Sequence, residues 1–458
     1  MKNDKKSTGN RTDPRTLAIQ TLIKVESGQY ANIALDTAID RHTLSREDRA
    51  LYTTLVYGVL ERRVSLDIII AHFSSRRLDE LDSTVMTALR LGLYQLIYLE
   101  RVPDFAAINE TVSLVPRKVS GFVNAILRSY LRAVEKSKRE NEMSPSELVE
   151  RYPELSSVDG LLALSAAYSL PLPLSQKLCE VFGRERAESV MSAFSQKPPM
   201  SISVNTLKTD KLSLMSEIAE TGIEVTDGYY APHALKISKG SLSDIEGFED
   251  GRFFVQDEAS QMCVEVLGAV EGDIVIDTCS CPGSKSFGCA IRMNNKGKIY
   301  SFDLHESKLS LVKTGALRLG IDIISTQKRD ARQPDEALIG CADRVLCDVP
   351  CSGFGVISKK PELRYKDPKE SERLPEIQRA ILENACKYVK RGGLLVYSTC
   401  TLLPEENELA VKDFLSRHPE FELVPFTVGK IEATDGYITL FPHLHKTDGF
   451  FVAKLIRK

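Results

Sequence analysis

The sequence has no apolar run approaching the roughly 18 consecutive residues of a bilayer-spanning helix, so a helical membrane protein is excluded. Its opening residues, Met1-Lys-Asn-Asp-Lys-Lys-Ser7, lack the apolar segment of a secretory signal, and a cytoplasmic protein is expected. Matched CxxC pairs and histidines at metal-ligand spacing are also missing. Cys279-Ser-Cys281, with Cys289 nearby, is at most half of a zinc site, and no metal is expected. Strong overall charge is absent too, the formal net value being -3.

What is present is a globular composition, 43% hydrophobic and 27% charged, in a chain of 458 residues. That length suffices for two to four domains with filled cores. Nine of the ten cysteines fall between Cys263 and Cys400, unlike a secreted disulfide framework, so free thiols are expected. Cys179, Cys263, Cys289, Cys341, Cys347 and Cys386 sit in apolar patterns and read as core. Nothing suggests an obligate oligomer, and a monomer is expected.

Charge is unevenly spread. Residues 1–138 hold 21 Lys/Arg against 16 Asp/Glu, a local +5 that leaves -8 on the rest. Arg62-Arg63, Arg76-Arg77 and Arg117-Lys118 fall at predicted helix ends, where they can meet phosphates or simply favour a solvated helix terminus. Residues 13–137 have helical periodicity almost throughout. Ser45 is a predicted N-cap, Leu51, Leu55 and Val59 share one face, and Val85, Leu89, Leu93 and Leu96-Ile97 repeat the pattern. Lys138-Arg-Glu-Asn-Glu-Met-Ser-Pro145 reads as a polar linker. The spacing thus predicts an all-α bundle over 1–138, a helical linker and small α+β domain over 139–250, and an α/β domain over 251–458.

In the middle part, Pro153, Pro171 and Pro173 break residues 145–195 into short helices. Strands are predicted at Ser201–Asn205, Ile223–Thr226 and Ala234–Ser238, with a helix at Lys211–Glu220. Such a unit can touch RNA or act as a spacer, and it shows no aromatic stacking pair of the kind found on RNA-binding sheets. From 251 onward strands and helices alternate. Ile274–Asp277, Lys298–Asp303, Ile323–Asp330, Arg344–Asp348 and Leu394–Ser398 read as strands, with helices at Glu306–Leu319 and Leu374–Val389 between them. This is a doubly wound, Rossmann-like sheet with carboxylates at strand ends.

Ligand sites in such sheets lie outside the carboxyl ends of the strands, and two thiols are placed there: Cys351 after Val345-Leu-Cys-Asp-Val-Pro, and Cys400 after Gly393-Leu-Leu-Val-Tyr-Ser-Thr. Paired thiols beside a pocket suggest covalent chemistry on an electrophilic ring carbon. The first turn, Asp277-Thr-Cys-Ser-Cys-Pro-Gly-Ser-Lys-Ser286, is neither a G-x-G-x-x-G fingerprint nor a P-loop, yet its small residues admit a ligand close to the backbone. Asp303 ends the next strand, where a carboxylate can hold a ribose or cap a helix.

These segments carry a resemblance. Asp277-Thr-Cys-Ser-Cys-Pro-Gly-Ser-Lys285, Asp348-Val-Pro-Cys-Ser-Gly-Phe-Gly-Val356, Tyr397-Ser-Thr-Cys-Thr-Leu-Leu-Pro-Glu-Glu-Asn407 and Thr447-Asp-Gly-Phe-Phe451 resemble, in order, the motifs of RNA cytosine-5 methyltransferases. Phe254-Val-Gln-Asp-Glu-Ala-Ser-Gln261 resembles the lead-in to their catalytic domain. Asp48-Arg-Ala-Leu, Val56-Tyr-Gly-Val-Leu, Leu91-Gly-Leu-Tyr-Gln-Leu96, Ile108-Asn-Glu-Thr-Val and Gly121-Phe-Val-Asn-Ala-Ile-Leu-Arg128 are similar to a NusB-like RNA-binding domain. Together they cover nearly the whole chain, a combination that resembles the RsmB/Sun branch, which modifies 16S ribosomal RNA.

The resemblance implies S-adenosyl-L-methionine as cofactor and an unpaired or flipped-out cytosine of small-subunit ribosomal RNA as substrate. It implies Cys400 as the nucleophile at carbon 6 and Cys351 as an aid to the later elimination, although DNA cytosine methyltransferases use the Pro-Cys thiol as nucleophile. It sets Asp348 beside the ring, with Lys285 assisting. Cys279, Ser280, Cys281, Pro282, Gly283, Ser284 and Lys285 would wrap the methionine part of the cofactor. Asp303 would hold its ribose, Asp330 would meet the adenine side, and Asp348 would complete the pocket. One departure stands out: the family pattern Ala-Ala-Pro-Gly-Gly-Lys is here Ser280-Cys281-Pro-Gly-Ser284-Lys285, and a serine narrows the loop if its position needs positive φ. Two other classes stay open, the same chemistry on transfer RNA and a non-catalytic RNA-binding or assembly protein.

Overall fold

The computed structural model describes residues 13–139, 160–196, 200–239 and 245–458, so the polar linker expected at 138–145 and the segment around Pro153 lie almost wholly outside the described residues. The described residues form two units. One runs up to Gln196 and includes Ile357–Asp367; the other runs from Met200 to Val356 and resumes at Pro368–Lys458.

The first unit is helical. It comprises α1 (Pro14–Glu26), α2 (Ala31–Arg41), α3 (Arg46–Phe73), α4 (Ser83–Tyr98), α5 (Asp104–Ser113), α6 (Arg117–Arg139), α7 (Gly160–Tyr168), α8 (Leu172–Phe182) and α9 (Arg184–Phe194). Ser45 caps α3 as expected, its hydroxyl accepting the Asp48 amide at 3.0 Å, and Asp13 and Asp82 cap α1 and α4. Leu55, Val59, Val85, Leu89 and Leu93 meet in the core. Because α3 runs on to Phe73, Arg62-Arg63 is not at a helix end. Arg63 instead lies 3.5 Å from Glu26, and Arg62 covers the Tyr98 ring. Arg117-Lys118 does open a helix, exposed at the N-terminal end of α6.

Ile357–Asp367, which follows the Cys351 segment in sequence, is built into this helical unit. Arg364 is 1% exposed, and its Nη1 donates to the carbonyl oxygens of Glu61 and, at 3.5 Å, Ser169. The Tyr365 hydroxyl donates to the Leu60 carbonyl, while the Arg63 guanidinium lies 4.8 Å from the Tyr365 ring centroid.

The second unit begins with β1 (Met200–Val204), α10 (Lys211–Glu220), β2 (Glu224–Asp227), β3 (Ala234–Lys239) and β4 (Phe253–Val255). These strands form an antiparallel sheet in the order β2-β3-β1-β4, with Ile202, Val204, Leu235, Ile237 and Phe253 packed against Leu214 and Ile218 of α10. The sequence reading did not anticipate β4. It joins this sheet because Phe253 and Phe254 pair in register with Val204 and Ser203.

The large sheet uses β5 (Ile274–Asp277), β6 (Lys298–Asp303), β7 (Ile324–Lys328), β8 (Ala342–Asp348) and β9 (Val389–Thr399), all parallel, close to the expected positions. Four short strands follow, β10 (Phe421–Leu423), β11 (Phe426–Val428), β12 (Ile431–Ala433) and β13 (Tyr437–Leu440), and then the longer β14 (Phe450–Arg457), which lies antiparallel beside β9 and is flanked by β10 and β13. The order is β10-β14-β9-β8-β5-β6-β7. Alternate residues face opposite sides. Val275, Leu346, Val396 and Val452 pack with α11 (Glu258–Leu267), α12 (Ser284–Arg292) and α13 (Glu306–Leu319), whereas Ile276, Val345, Leu395 and Phe451 pack with α14 (Leu374–Tyr388) and α15 (Glu408–Arg417). Parallel pairing brings the carboxyl ends of β5 to β9 to one edge, and the candidate residues follow those ends.

Arg364→Ala removes a buried donor from two carbonyl oxygens and opens a cavity. A loss of about 2–4 kcal/mol is expected, read as a lower denaturant midpoint at unchanged slope. An unchanged midpoint would show that Ile357–Asp367 does not hold the unit together.

Candidate active site

Strands β8 and β9 end with Asp348 opposite Ser398. The Ser398 hydroxyl donates to Asp348 Oδ1 at 2.7 Å, and Lys285 Nζ, from the first turn of α12, lies 2.7 Å from Asp348 Oδ2. The carboxylate is thus held from both sides. Burial pulls the Lys285 pKa down, but the charges of Asp348 and its neighbours outweigh it and hold the ammonium above the ordinary lysine range.

Beyond that pair, each strand turns into a short loop that carries a thiol. The Sγ atoms of Cys351 and Cys400 are 3.1 Å apart, and the Cys400 amide donates to Cys351 Sγ at 3.3 Å. The hydrogen bond with Cys400, together with burial, pushes the Cys351 thiol well above its usual range. Either sulfur can donate across this contact, so a proton kept on one thiol can stabilise a thiolate on the other.

The two loops are tied together by residues that the sequence reading quoted without assigning them a task. Glu406 Oε2 accepts the Ser352 amide at 2.9 Å and Gln378 Nε2 at 2.8 Å. The Ser352 hydroxyl reaches Thr401 Oγ1 at 2.6 Å, and Asn407 Nδ2 donates to the Thr401 carbonyl at 3.1 Å. Gly355 donates to the Cys400 carbonyl at 2.9 Å and accepts the Gly449 amide at 2.8 Å, which joins the Asp348–Val356 and Thr447–Phe451 motifs. A Cβ on Gly355 would stand 2.0 Å from the Gly449 carbonyl oxygen, so no other residue fits there.

The loop after β5 lies at the same edge. Gly283 has φ 112°, and a Cβ there would meet the Phe287 ring at 2.6 Å. Ser284 is the first residue of α12 with an ordinary φ, so the narrowing expected from a serine needing positive φ does not arise. Ser280 is buried and ties the loop to β6 through its amide and the Phe302 carbonyl, 2.8 Å apart; Pro282 is exposed. Burial raises the Cys279 thiol well above its usual range; burial and Asp303 push Cys281 up to about 12. Asp303, half-buried, accepts the His305 amide at 2.9 Å. Asp330 lies beyond β7, where both its carboxylate oxygens are engaged by Arg332, the shorter contact 2.6 Å.

Asp277 stands at the end of β5. It is 1% exposed; Oδ2 accepts the Ser286 hydroxyl at 2.7 Å, and Oδ1 has no hydrogen-bond partner. Burial raises its pKa to about 7. An orphaned carboxylate oxygen under a glycine-bearing loop, with Asp303 on the neighbouring strand, fits the amino acid and ribose ends expected of the cofactor. All ten cysteines are free, and the described residues contain no His/Cys/Asp/Glu cluster able to hold a metal.

Asp277 gives a pH signature. An acid with a folded pKa of about 7, raised from 3.8, adds stability fully below about pH 3.8 and loses it as pH rises through 7. Urea unfolding should show Asp277→Asn flattening the decline in stability between about pH 4 and 7 relative to the parent chain. Parallel profiles would mean that the carboxyl group is not buried as an acid.

The family model described as 16S rRNA methyltransferase RsmB/F matches residues 264–456, that of the NusB family matches 12–132, and that of the ferredoxin-like domain of RsmF/B-like methyltransferases matches 170–242. The probable ribosomal RNA small subunit methyltransferase B of Bacillus subtilis (strain 168) is 36% identical, covering 98% of this chain and 99% of that one. Its counterpart in Synechocystis sp. is 34% identical, covering 93% and 95%. The crystal structure of PH0851 matches with TM-score 0.79 and 28% identity over 97% of this chain and 99% of that one. NSun6 from Pyrococcus horikoshii, solved with the S-adenosylmethionine analogue SFG, matches with TM-score 0.57 and 26% identity over 63% and 98%. With relatives of this identity along nearly its full length, the chain belongs to the RsmB/F family of 16S rRNA methyltransferases.

Proposed function

We propose that this chain methylates carbon 5 of a cytosine in 16S ribosomal RNA through a transient bond between Cys400 and carbon 6. The observation that carries the reading is the thiol pair, 3.1 Å between sulfurs, at the end of two strands that also fix an ion-paired carboxylate. S-adenosylmethionine is the methyl donor of the family, and when bound it supplies an electrophilic methyl group on a sulfonium centre. Residues 279–285, Asp303 and Asp330 are the proposed cofactor contacts.

Carbon 5 of cytosine is too weak a nucleophile to take a methyl group directly. Addition of the Cys400 thiolate at carbon 6, with a proton going to the ring nitrogen, makes an enamine whose carbon 5 is nucleophilic. Asp348, fixed by Lys285 and Ser398, can accept a hydrogen bond from the amino group or a protonated ring nitrogen and so stabilise charge that develops during addition. After transfer, water acting as general base takes the carbon 5 proton, the electron pair of that bond closes the carbon 5–carbon 6 double bond as the Cys400 sulfur leaves as thiolate, and the ring nitrogen gives up the proton it had taken on. A hydrogen bond from the Cys351 thiol to the departing Cys400 sulfur makes that thiolate a better leaving group. The target cytosine must be unpaired or turned out of its stack to reach the thiols.

In this division of labour residues 1–138 grip RNA, 251–458 carry the chemistry and 139–250 link them. Arg117 and Lys118 are exposed at a helix N-terminus, where the helix dipole disfavours cations, so their placement favours an external anion.

Transfer of tritiated methyl groups to unmodified small-subunit RNA tests the chemistry. Cys400→Ala should abolish incorporation, and Cys351→Ala should slow product release and leave a protein–RNA adduct stable in denaturing gels. Full turnover by Cys400→Ala with complete loss in Cys351→Ala would reverse the two roles. Replacing Arg117 and Lys118 together by Ala should lower the slope of log affinity against log salt by roughly 2. Substitution is the cleaner test because removing residues 1–138 would also strip the partners of Ile357–Asp367. An unchanged slope would remove these two residues from the RNA interface.

A further inference from the structure

The lead-in segment Phe254–Gln261 takes no part in the chemistry above, yet Glu258 at its centre is 0% exposed. Its Oε1 accepts the amide of Tyr230 and, at 3.2 Å, that of Ala231; its Oε2 lies 3.0 Å from the ammonium of Lys236, which is also buried. Gly228 permits this approach, since a Cβ there would stand 2.6 Å from Glu258 Oε1 and 2.4 Å from the Ala234 Cβ. The Tyr230 hydroxyl donates to the His445 carbonyl at 3.0 Å, and Lys236 Nζ to the Lys446 carbonyl at 3.4 Å. The turn between β2 and β3 is thereby clamped on both sides.

A buried ion pair is a costly way to fix a surface turn, which directs attention to what the turn presents. That is Tyr229. The Lys236 ammonium sits 3.5 Å from its ring centroid and the ammonium of Lys446 5.8 Å away, yet Tyr229 remains 46% exposed and Lys446 is exposed. A scattered surface tyrosine needs no explanation, but this one is held on one ring face by a buried charge. From Lys446 the chain enters Thr447-Asp448-Gly449, and Gly449 bonds to Gly355, which bonds to the Cys400 carbonyl. A ring–cation contact, the chain from Lys446 to Gly449 and two backbone hydrogen bonds thus connect the tyrosine to the thiol loops.

We propose that Tyr229 is a stacking platform for a nucleobase of the RNA substrate next to the target cytosine, with Lys446 on an adjoining phosphate. The inference rests on the functional reading above, that RNA is the substrate. A nucleobase stacks on any aromatic face whatever its identity, and a cation beside the ring meets the phosphate that follows it. Pre-clamping the ring spares the ordering that a mobile side chain would lose on binding.

The test uses the full chain and a fluorescent small-subunit RNA hairpin, with equilibrium binding and initial methylation rates measured side by side. Tyr229→Ala should weaken binding and raise KM about tenfold, the effect falling on KM rather than kcat, while Tyr229→Phe keeps parental affinity. Lys446→Ala should lower the salt slope by about 1. Parental affinity in Tyr229→Ala, or an equal loss in Tyr229→Phe, overturns the platform. If Tyr229→Ala unfolds early, Lys446→Ala decides, and an unchanged salt slope then overturns the proposal. A parent chain that neither binds nor methylates the hairpin defeats the functional reading itself. Parental turnover with undiminished binding by the variants defeats the platform alone.

Discussion

The candidate site depends on the parallel pairing of β8 with β9 in the register that sets Asp348 opposite Ser398. Side chains alternate along a strand and rise by about 3.3 Å per residue, so a slip of one position would turn Ser398 away from Asp348 and carry the two thiol loops out of contact. The buried faces enforce the register. Val345 and Cys347 share one core with Leu395 and Tyr397, while Leu346 and Val396 share the other. A slip would move each of these side chains to the wrong layer.

Around that register the charges are graded by their surroundings. Asp348 is partly exposed and paired with a lysine held as the cation, whereas Asp277, deep at the end of β5, is driven toward its neutral form. The thiols are graded too. Burial, with the charges of Asp348 and Asp277 adding to it, pushes Cys263 up to about 12 although it touches Ser398, whereas Cys351 is raised chiefly by its hydrogen bond with Cys400. One scaffold thus carries isolated core thiols beside a pair in mutual contact.

The sequence makes the parallel half of the large sheet legible because strands buried on both faces read as apolar runs ending in Asp or Cys, and the ends of β5, β6, β8 and β9 follow that signal. The antiparallel strands β10 to β14 were not legible. β10 to β13 are only 3 or 4 residues long, and Phe450–Phe451, which opens the 8-residue β14, stands inside a motif. Arg62-Arg63 was misplaced for a related reason: periodicity located α3 but not its end, since Glu61, Arg62 and Arg63 look like a polar terminus when their partners Glu26, Tyr98 and Tyr365 are far away in sequence. The thiols, Lys285, Asp348 and the loop from Cys279 were named from motifs. The residues that lock them, Ser398, Glu406, Asn407 and Gly355, stand inside the same motifs, but their tasks are long-range contacts that no local pattern encodes.

The most direct measurement of the central claim replaces the target cytosine with 5-fluorocytosine in a small-subunit transcript incubated with the full chain and S-adenosylmethionine. Fluorine at carbon 5 cannot leave as a proton, so the adduct cannot resolve. The account predicts an RNA–protein complex that survives denaturing electrophoresis and maps to Cys400. Methylation of ordinary transcript with no trapped complex from the fluorinated one, or a complex that maps to Cys351, would contradict it.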